Sequence, residues 1–506
     1  MAFTRDYMQD VYYNDRPQAG ERAEKLAGAA FAGEYEPITV AVWPLHDLGR
    51  VAVTASDLQG PGGTIPASAV DIGFVSYRLS RVTMEGSVYT ITPRLLMPTN
   101  SAMVPVEVTR RFWLTVKTPT NAAPGVYRGT INLAAEHGGP LALPLEFTVR
   151  KGTLDAVDLP AGPWSHTIDL PWPGNESAAW NREMAHKSLA KLRAYGFTTC
   201  SGLPVVTYRG FKNGAPDLDF SVGDAQMERL RAQGFTMPVI SYCAFGGLNT
   251  YYQDTAAMKA AGFNDYSQFI QALFGAVQRH ADAARWLPVY WNIGDEPLGD
   301  DTVRSGQNAE AYRKAFPQGP PFFTAASSFA GTNVSDPHFK LSKALHVVDW
   351  NNHDEVGIKL LHDAGGNWAF YNGGNRWTYG IYLYKAAKEF GLKFRLSWHW
   401  NATAGDPYYA LDCREDDYAW CNSSPNGQLI PSTHFEQLRQ GLGDYRRMLT
   451  LARLAREHAG TPAAQAGEQV LAEILGSFKL GERELKGAAS FGELRSRLDA
   501  AIEALR

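Results

Sequence analysis

The N-terminal part of the chain has the hydrophobic pattern of short β-strands. Between residues 32 and 150, apolar and polar residues alternate with a period of two in several runs, and Gly, Pro and Asn separate these runs. Two examples are "RRFWLTVKTP" at 110–119 and "GVYRGTINLAA" at 125–135. About seven such strands without helical periodicity predict an antiparallel β-sandwich, to which we assign residues 1–155.

From about residue 160 onward, apolar strands alternate with amphipathic helices. The predicted strands are at 164–170, 198–202, 237–245, 288–294, 322–329, 344–352, 368–374 and 393–401. Helical patterns such as 176–196 and 265–286 lie between them and end near a glycine or a basic turn. This alternation predicts a (β/α)8 TIM barrel over residues 160–455. The alternative is an open doubly wound sheet, but no glycine-rich turn follows the first strand.

The residues after the predicted barrel continue a helical pattern. A strong amphipathic helix is predicted at 433–458, and two more follow at 463–480 and 490–506. We therefore assign residues 456–506 to a helical C-terminal segment. The predicted fold class is multidomain: an antiparallel β-sandwich, a (β/α)8 TIM barrel and a helical tail.

Composition and charge narrow the possible partners. The net charge is −4 and there is no long basic run, which argues against nucleic acid and anionic membranes. Aromatic residues make up 12% of the chain, with 13 Trp and 23 Tyr, and such rings form platforms on which sugars stack. The four cysteines form no CxxC or Cys/His cluster, so we expect neither a metal site nor a cofactor. The expected partner is an oligosaccharide or a glycoside, and the sequence gives no oligomeric state.

The location of the protein follows only weakly from the sequence. Residues 1–20 are polar and mixed, with no secretory signal, and no apolar run approaches the roughly 18 residues that span a bilayer. This favours the cytoplasm. An extracellular or periplasmic location stays open if the sequence is a trimmed one.

Polar and aromatic residues gather at the predicted carboxyl ends of the barrel strands, where barrel enzymes carry their working residues. The candidates, in strand order, are His166, Asp169, Tyr242, Asn292, Asp295, Glu296, Asn351, Tyr371, Arg376, Trp377, Trp398, His399 and Trp400. Rings, amides and carboxylates suit a neutral polyol. A phosphate site would be richer in Lys, Arg and glycine-rich turns.

Two adjacent carboxylates stand out in "WNIGDEP", residues 291–297. Glycoside hydrolysis needs an acid for the leaving oxygen and a partner for the positive charge at the sugar carbon. Many barrel hydrolases take the second carboxylate from strand seven, but "FYNGGNRW" at 370–377 contains none. The adjacent pair therefore predicts that the two carboxylates have other catalytic roles than in those hydrolases.

In this hypothesis Glu296 is the general acid/base. Asp295 does not attack carbon but orients a nucleophile supplied by the substrate, such as a 2-acetamido oxygen. Mutual repulsion raises one of the two pKa values and keeps that carboxyl protonated, as an acid requires. The structural alternatives are an ion pair at the barrel rim for Glu296 and a helix cap near Pro297 for Asp295.

Other candidates also have two interpretations. Arg376 binds substrate or forms a salt bridge to a carboxylate such as Asp349. Trp398 and Trp400 alternate on one predicted strand and so share a face, which predicts that one is a sugar platform rather than barrel core. His399 points the other way and is either functional or a core histidine.

The chain resembles glycoside hydrolase family 123 and the uncharacterised glycoside-hydrolase-like domains related to it. Residues 33–58 resemble the N-terminal sandwich of that group, and "WNIGDEP" resembles its catalytic Asp-Glu motif. Residues 375–408 are similar to its seventh and eighth barrel units, and residues 432–451 to its closing helix. The similarity covers most of residues 30–455.

The resemblance implies a sandwich followed by a (β/α)8 barrel, and a retaining exo-glycosidase that acts on β-linked N-acetylgalactosaminides by substrate assistance. Asp295 and Glu296 inherit these catalytic roles by position. Arg376 and Trp377 align with a sugar-contacting segment, and residues 398–400 fall where the group has aromatic side chains on strand eight.

Two further functions stay open. A glycosidase for sugars without the acetamido group needs another nucleophile, such as Asp349 or Asp169, or an inverting mechanism with carboxyl groups about 6.5–9.5 Å apart. A non-catalytic carbohydrate-binding protein is also compatible with the sandwich and the aromatic residues, but it leaves the acidic pair without a task.

Overall fold

The chain folds into two compact units. The computed structural model describes residues 1–81, 88–165, 178–242, 245–328, 333–401, 419–424, 426–482, 484–485 and 490–506. The first unit comprises Met1–Ala156, Thr403–Glu473 and Ala488–Arg506, and the second comprises Val157–Ala402 and Ile474–Gly487. Residues 433–455, which we assign to the barrel from sequence, thus group with the N-terminal unit.

Two β-sheets form the N-terminal part of the first unit. Its strands are β1 (Ala2–Phe3), β2 (Leu26–Phe31), β3 (Tyr35–Val42), β4 (Arg50–Ala55), β5 (Leu58–Gly60), β6 (Gly63–Ile65), β7 (Val70–Arg81), β8 (Tyr89–Met97), β9 (Ser101–Met103), β10 (Arg110–Lys117), β11 (Gly125–Ala135) and β12 (Leu141–Arg150). One sheet has the order β1-β3-β10-β7-β8, and the other has the order β2-β12-β11-β4-β9, with β5 and β6 attached. Pairing is antiparallel except between β2 and β12.

The two sheets share one hydrophobic core. Along β11 the side chains of Tyr127, Ile131 and Leu133 are buried, as the period of two predicts. They belong to a cluster that also contains Phe112 and Leu114 from β10 of the other sheet. The N-terminal region is therefore an antiparallel, sandwich-like structure, as predicted.

A parallel sheet forms the centre of the second unit. The strands of this unit are β13 (Ala161–Trp164), β14 (Val206–Lys212), β15 (Ala215–Asp219), β16 (Val239–Ile240), β17 (Phe245–Gly246), β18 (Val289–Asp295), β19 (Phe322–Ser328), β20 (Val347–Asn352), β21 (Trp368–Phe370) and β22 (Arg395–Trp398). Seven of them pair in the order β13-β22-β21-β20-β19-β18-β16, all in parallel. Strands β14, β15 and β17 form a separate small sheet.

The parallel sheet is curled, because one segment contacts both of its edge strands. The backbone N–H of Ser201 donates to the carbonyl of Pro163 in β13 at 3.2 Å. Ser201 also forms a parallel bridge with Ile240 in β16, whose carbonyl accepts from the N–H of Gly202 at 3.1 Å. The side chains that share the concave core include Trp164 and Phe323.

Helices connect the parallel strands, which explains their direction. They are α1 (Ala178–Ala194), α2 (Ser221–Ala232), α3 (Thr255–Ala260), α4 (Tyr266–Ala283), α5 (Asp300–Ala315), α6 (Pro337–Ala344), α7 (Glu355–Asp363) and α8 (Ile381–Lys388). Local capping fixes several starts: Asp265 accepts from the N–H of Ser267 ahead of α4, and Asp354 accepts from Gly357 ahead of α7.

The remaining elements are the hairpin β23 (Cys421–Ser423) and β24 (Leu429–Pro431), and the helices α9 (Thr433–Glu457), α10 (Pro462–Gly476) and α11 (Phe491–Ala504). A buried ion network explains why α9 and α11 belong to the first unit. Arg447 of α9 donates to both carboxylate oxygens of Glu34 at 2.8 and 2.9 Å, and to Asp499 of α11 at 2.7 Å. No described helix is long and apolar enough to cross a membrane.

Candidate active site

The acidic pair stands where strand β18 leaves the sheet. Asp295 is the last residue of β18, and a register shift against β19 lies between Asn292 and Asp295. Glu296 follows with a φ of 41°, which is rare for a residue other than glycine. Its backbone N–H donates to the carbonyl of Ala325 at 2.7 Å, so the strained turn is held by the neighbouring strand.

Each carboxylate of the pair accepts a hydrogen bond from a different tyrosine. The hydroxyl of Tyr242 donates to Oδ2 of Asp295 at 2.7 Å. The hydroxyl of Tyr371 donates to Oε1 of Glu296. Both tyrosines are buried, and they follow strands β16 and β21. Carboxylates that belong to neighbouring residues are thus held by separate elements of the sheet.

One indole ring joins the two halves of the site. The ring of Trp164, at the end of β13, lies 4.9 Å from the ring of Tyr242 and 5.6 Å from that of Tyr371, measured between centroids. Because both tyrosines contact the same ring, their hydroxyls and the two carboxylates face the same side of the sheet. The acidic pair is thus bonded to two tyrosines of one aromatic cluster.

The environment perturbs Asp295 in particular. Asp295 is accessible to solvent, but protein atoms crowd its carboxyl, and this desolvation is the main cause that raises its pKa. The negative charge of Glu296 raises the pKa further, whereas the hydrogen bond from Tyr242 lowers it. Burial is therefore a larger cause of the raised pKa of Asp295 than repulsion by Glu296.

A third carboxyl lies close to the pair. Asp349 in β20 is fully buried, and burial raises its pKa well above the usual range, with Arg395 opposing and Asp295 reinforcing the shift. Neither of its oxygens has a hydrogen-bond partner among the described residues. From sequence we considered Asp349 only as an alternative nucleophile or as a partner of Arg376.

Several other predicted residues lie on the same concave side. Asn292 is buried, and its amide donates to the carbonyl of Gly294 at 2.8 Å. Asn351 follows two positions after the third carboxyl in β20 and is half-buried. Trp398 ends β22 opposite Trp164 and packs against the concave core. These three side chains remain candidates for sugar contacts.

The structure contradicts the expectation that Trp398 and Trp400 share a face. Strand β22 ends at Trp398, so the period of two does not continue to residue 400. The indole N–H of Trp400 instead donates to the hydroxyl of Ser188 in α1 at 3.2 Å, and the ring is buried. His399, between them, is also buried, with its ring 4.8 Å from that of Trp398.

Two predicted residues after strand β21 are buried in the packing of the unit. The indole N–H of Trp377 donates to the carbonyl of Glu482 at 3.0 Å, and its ring packs on Phe478 with centroids 4.5 Å apart. Arg376 is also buried. The contacts of Trp377 differ from the sugar-contacting position that the family resemblance implies. His166 and Asp169 lie outside the described residues.

Trp164 is the main site residue that the sequence did not suggest. The predicted first strand begins at residue 164, whereas β13 ends there, so the ring was placed at the wrong end of its strand. The register with Trp398 could have identified it, but register is not visible in one sequence. Among the described residues, no group of three or more His, Cys, Asp or Glu could hold a metal ion.

Comparisons with known proteins bear on the class of protein. Residues 8–135 match the family description "Glycoside hydrolase 123 N-terminal domain". The fold is similar to that of a family 123 glycoside hydrolase from Clostridium perfringens, which was analysed for glycolipid glycan hydrolysis. The TM-score is 0.70 over 95% of this chain and 94% of that chain, with 14% identity. No curated protein matches the sequence.

Other solved structures are matched much more weakly. A family 2 glycosyl hydrolase from Bacteroides cellulosilyticus gives a TM-score of 0.28 at 12% identity, over 77% of this chain and 47% of that chain. A family 5 xyloglucanase from Bacteroides ovatus gives a TM-score of 0.18 at 11% identity, over 76% of this chain and 71% of that chain. Scores this low support no conclusion about fold.

The match of the N-terminal domain supports the class of glycoside hydrolases. Within that class the resemblance to family 123 is confirmed, since residues 8–135 match the description of its N-terminal domain and a family member has a similar fold across nearly the whole chain.

Proposed function

We propose that this chain is a retaining exo-β-glycosidase that removes a terminal 2-acetamido sugar of the N-acetylgalactosamine type. Glu296 serves as general acid/base, and Asp295 orients the acetamido group of the substrate. The observation that carries the proposal is the separate anchoring of the two carboxylates by Tyr371 and Tyr242 over one indole ring. Two acids with different roles at the same sugar need such independent positions.

The reaction has two steps. First, Glu296 gives its proton to the glycosidic oxygen while the acetamido carbonyl oxygen attacks the anomeric carbon, and the bond to the leaving alcohol breaks. Asp295 accepts a hydrogen bond from the acetamido N–H and stabilises the positive charge of the resulting oxazolinium ring. Then Glu296 takes a proton from water, which attacks the anomeric carbon and opens the ring with net retention.

The framework we propose for this chemistry is a (β/α)8 barrel. Residues 198–202 would supply its second strand, since their backbone bonds to both β13 and β16. In such a barrel the ends of β13, β16, β18 and β21 form the mouth, which is the usual place of an active site. This arrangement accounts for the meeting of Trp164, Tyr242, Tyr371 and the acidic pair.

The alternative with a protein nucleophile at Asp349 receives little support. A nucleophilic carboxylate must be ionised and must reach the anomeric carbon. The carboxyl of Asp349 is fully buried, and this burial raises its pKa well above the usual range, which disfavours the ionised form. This condition favours the nucleophile supplied by the substrate.

A panel of nitrophenyl β-glycosides tests the proposal, with N-acetylgalactosamine, N-acetylglucosamine, galactose and glucose as the sugars. A glycan carried on a lipid is a natural-type substrate to include, because the Clostridium relative was analysed for glycolipid glycan hydrolysis. We expect turnover only of the acetamido sugars, and a loss of about 10²–10⁴-fold in Glu296→Gln. Glu310→Gln, on the exposed side of α5, is the matched control.

Three outcomes would count against the proposal. Equal turnover of galactosides and acetamido sugars would favour a mechanism without substrate assistance. Full activity of Glu296→Gln would remove the assigned acid. Binding of these sugars without any hydrolysis would indicate a carbohydrate-binding protein.

A further inference from the structure

Asp349 is a buried acid for which the two-step reaction has no use. It lies in β20, in register with Ala325 of β19, which in turn is in register with Asp295 of β18. On its other side Asp349 is in register with Ala369 of β21. The two acids therefore occupy the same level of the sheet, separated only by one alanine.

The two alanines leave room beside the buried carboxyl. A methyl group reaches only a short distance above the sheet, whereas an aspartate reaches further. The strands are about 4.8 Å apart, so Asp295 and Asp349 are about 10 Å apart at their Cα atoms, close enough for the charge of Asp295 to act on Asp349. A single water with two hydrogen bonds of about 2.8 Å joins oxygens up to about 5.6 Å apart, and the two aspartate side chains would cover the rest of the distance.

The carboxyl of Asp349 needs a partner of this kind. Its side chain is fully buried, and neither oxygen has a hydrogen-bond partner among the described residues. An ionised carboxylate in this position would be very costly, and even a neutral one is costly without a hydrogen bond. The charged and titratable groups that act on it are the cation Arg395, the acid Asp295 and the phenol Tyr379, together with Tyr371.

We propose that Asp349 is a positioning residue for the acidic pair: as a neutral carboxylic acid it donates to one buried water over Ala325, and that water donates to the carboxylate of Asp295. Tyr242 holds Oδ2 of Asp295 from one side. The water holds the carboxylate from the other side, so that the side chain keeps one orientation toward the acetamido group. This inference rests on the proposed function for its catalytic consequence, but not for the water itself.

Two substitutions separate the roles of hydrogen bonding and charge. Asp349→Asn keeps the size and a donor, and Asp349→Leu keeps the approximate size but removes every polar atom. We expect Asp349→Asn to keep kcat within about 3-fold of wild type, and Asp349→Leu to lose about 10–100-fold in kcat with KM changed by less than about 3-fold. We also expect Asp349→Leu to melt close to the wild-type temperature, because it removes the buried carboxyl together with the water that the carboxyl binds.

The same experiment can overturn the inference. Wild-type kcat in Asp349→Leu would show that Asp349 positions nothing, and an equal loss in both variants would show that its charge is required. A loss of activity in Asp349→Leu accompanied by a lower melting temperature would indicate a merely structural role.

A crystal structure of the wild-type protein tests the water directly and does not depend on activity. A water within about 3.2 Å of both Asp349 and Asp295 supports the inference, and a well-ordered site without it overturns the inference. If the wild-type protein contains this water but hydrolyses no sugar of the panel, the proposed function is refuted. The catalytic consequence of the water is then refuted as well, but the water itself is not.

Discussion

Removal of the Tyr242 hydroxyl should move the acid limb of the pH–rate profile to higher pH. In Tyr242→Phe the ionised form of Asp295 loses the hydrogen bond that it accepts at 2.7 Å. This bond lowers the pKa of Asp295, against burial and the charge of Glu296, so its loss raises that pKa. Because the proposed role of Asp295 requires the carboxylate form, activity at low pH should fall.

The magnitude follows from the strength of such a bond. A hydrogen bond to a charged group contributes about 1.5–3 kcal/mol, which corresponds to about 1–2 pKa units. Asp295 is accessible to solvent, and water replaces part of the lost interaction, so the lower end applies. We therefore expect a shift of about one unit, with about a 10-fold lower kcat/KM below the limb and less than about a 3-fold change on the plateau.

The assay is kcat/KM for a nitrophenyl β-N-acetylgalactosaminide, measured from pH 4 to pH 9. The matched control is Tyr379→Phe, since Tyr379 is also buried but its hydroxyl donates to the neutral carbonyl of Gly162 at 2.7 Å. An acid limb that stays in place in Tyr242→Phe, or moves to lower pH, would refute the reasoning. So would an equal shift in the control.

Three further predictions concern Tyr371, Asp349 and Arg447. Tyr371→Phe should lower kcat by about 10–100-fold, because it removes the hydrogen bond to Glu296, and the same control should keep its rate. Wild-type protein should lose stability relative to Asp349→Asn as pH rises from about 4, the pKa of the unfolded aspartate, because burial raises the pKa of Asp349 in the folded state. A difference in melting temperature that does not change with pH would contradict this raised pKa. Arg447→Met should destabilise the protein by about 3–5 kcal/mol in urea unfolding, because Glu34 stays buried without its partner, and a loss below about 1 kcal/mol would contradict a buried pair.

Much of the fold was predictable because its strands have clean periodicity. In β11 and β12 the predicted limits, 125–135 and 141–150, coincide with the observed strands. The predicted helix at 433–458 also agrees with α9 to within one residue. These elements carry long periodic patterns, and local sequence determines such segments well.

The grouping of α9 with the first unit was not predictable in the same way. It depends on an arginine of α9 that meets Glu34, more than 400 positions away in the chain. A hydrophobic pattern shows which face of a helix is buried but not what covers it. The sequence therefore shows no sign that residues 433–455 group with the first compact unit.

The positions of the two acidic residues in the candidate site were easier to predict than those of its aromatic residues. Asp295 and Glu296 stand at the end of a strand with a clear apolar run, so their location was evident. The rings depend on where a strand stops: β22 stops at Trp398, which sends Trp400 to helix α1 rather than to the concave side. Limits of this kind are set by tertiary pairing, which local sequence does not encode.

The central claim is that the acetamido group of the substrate is the nucleophile. It is tested most directly by a series of nitrophenyl β-N-acylgalactosaminides in which the acetyl group carries none, one, two or three fluorine atoms. Fluorine withdraws electrons from the carbonyl oxygen, so the account predicts that kcat falls with each added fluorine. A kcat that stays constant across the series would contradict it.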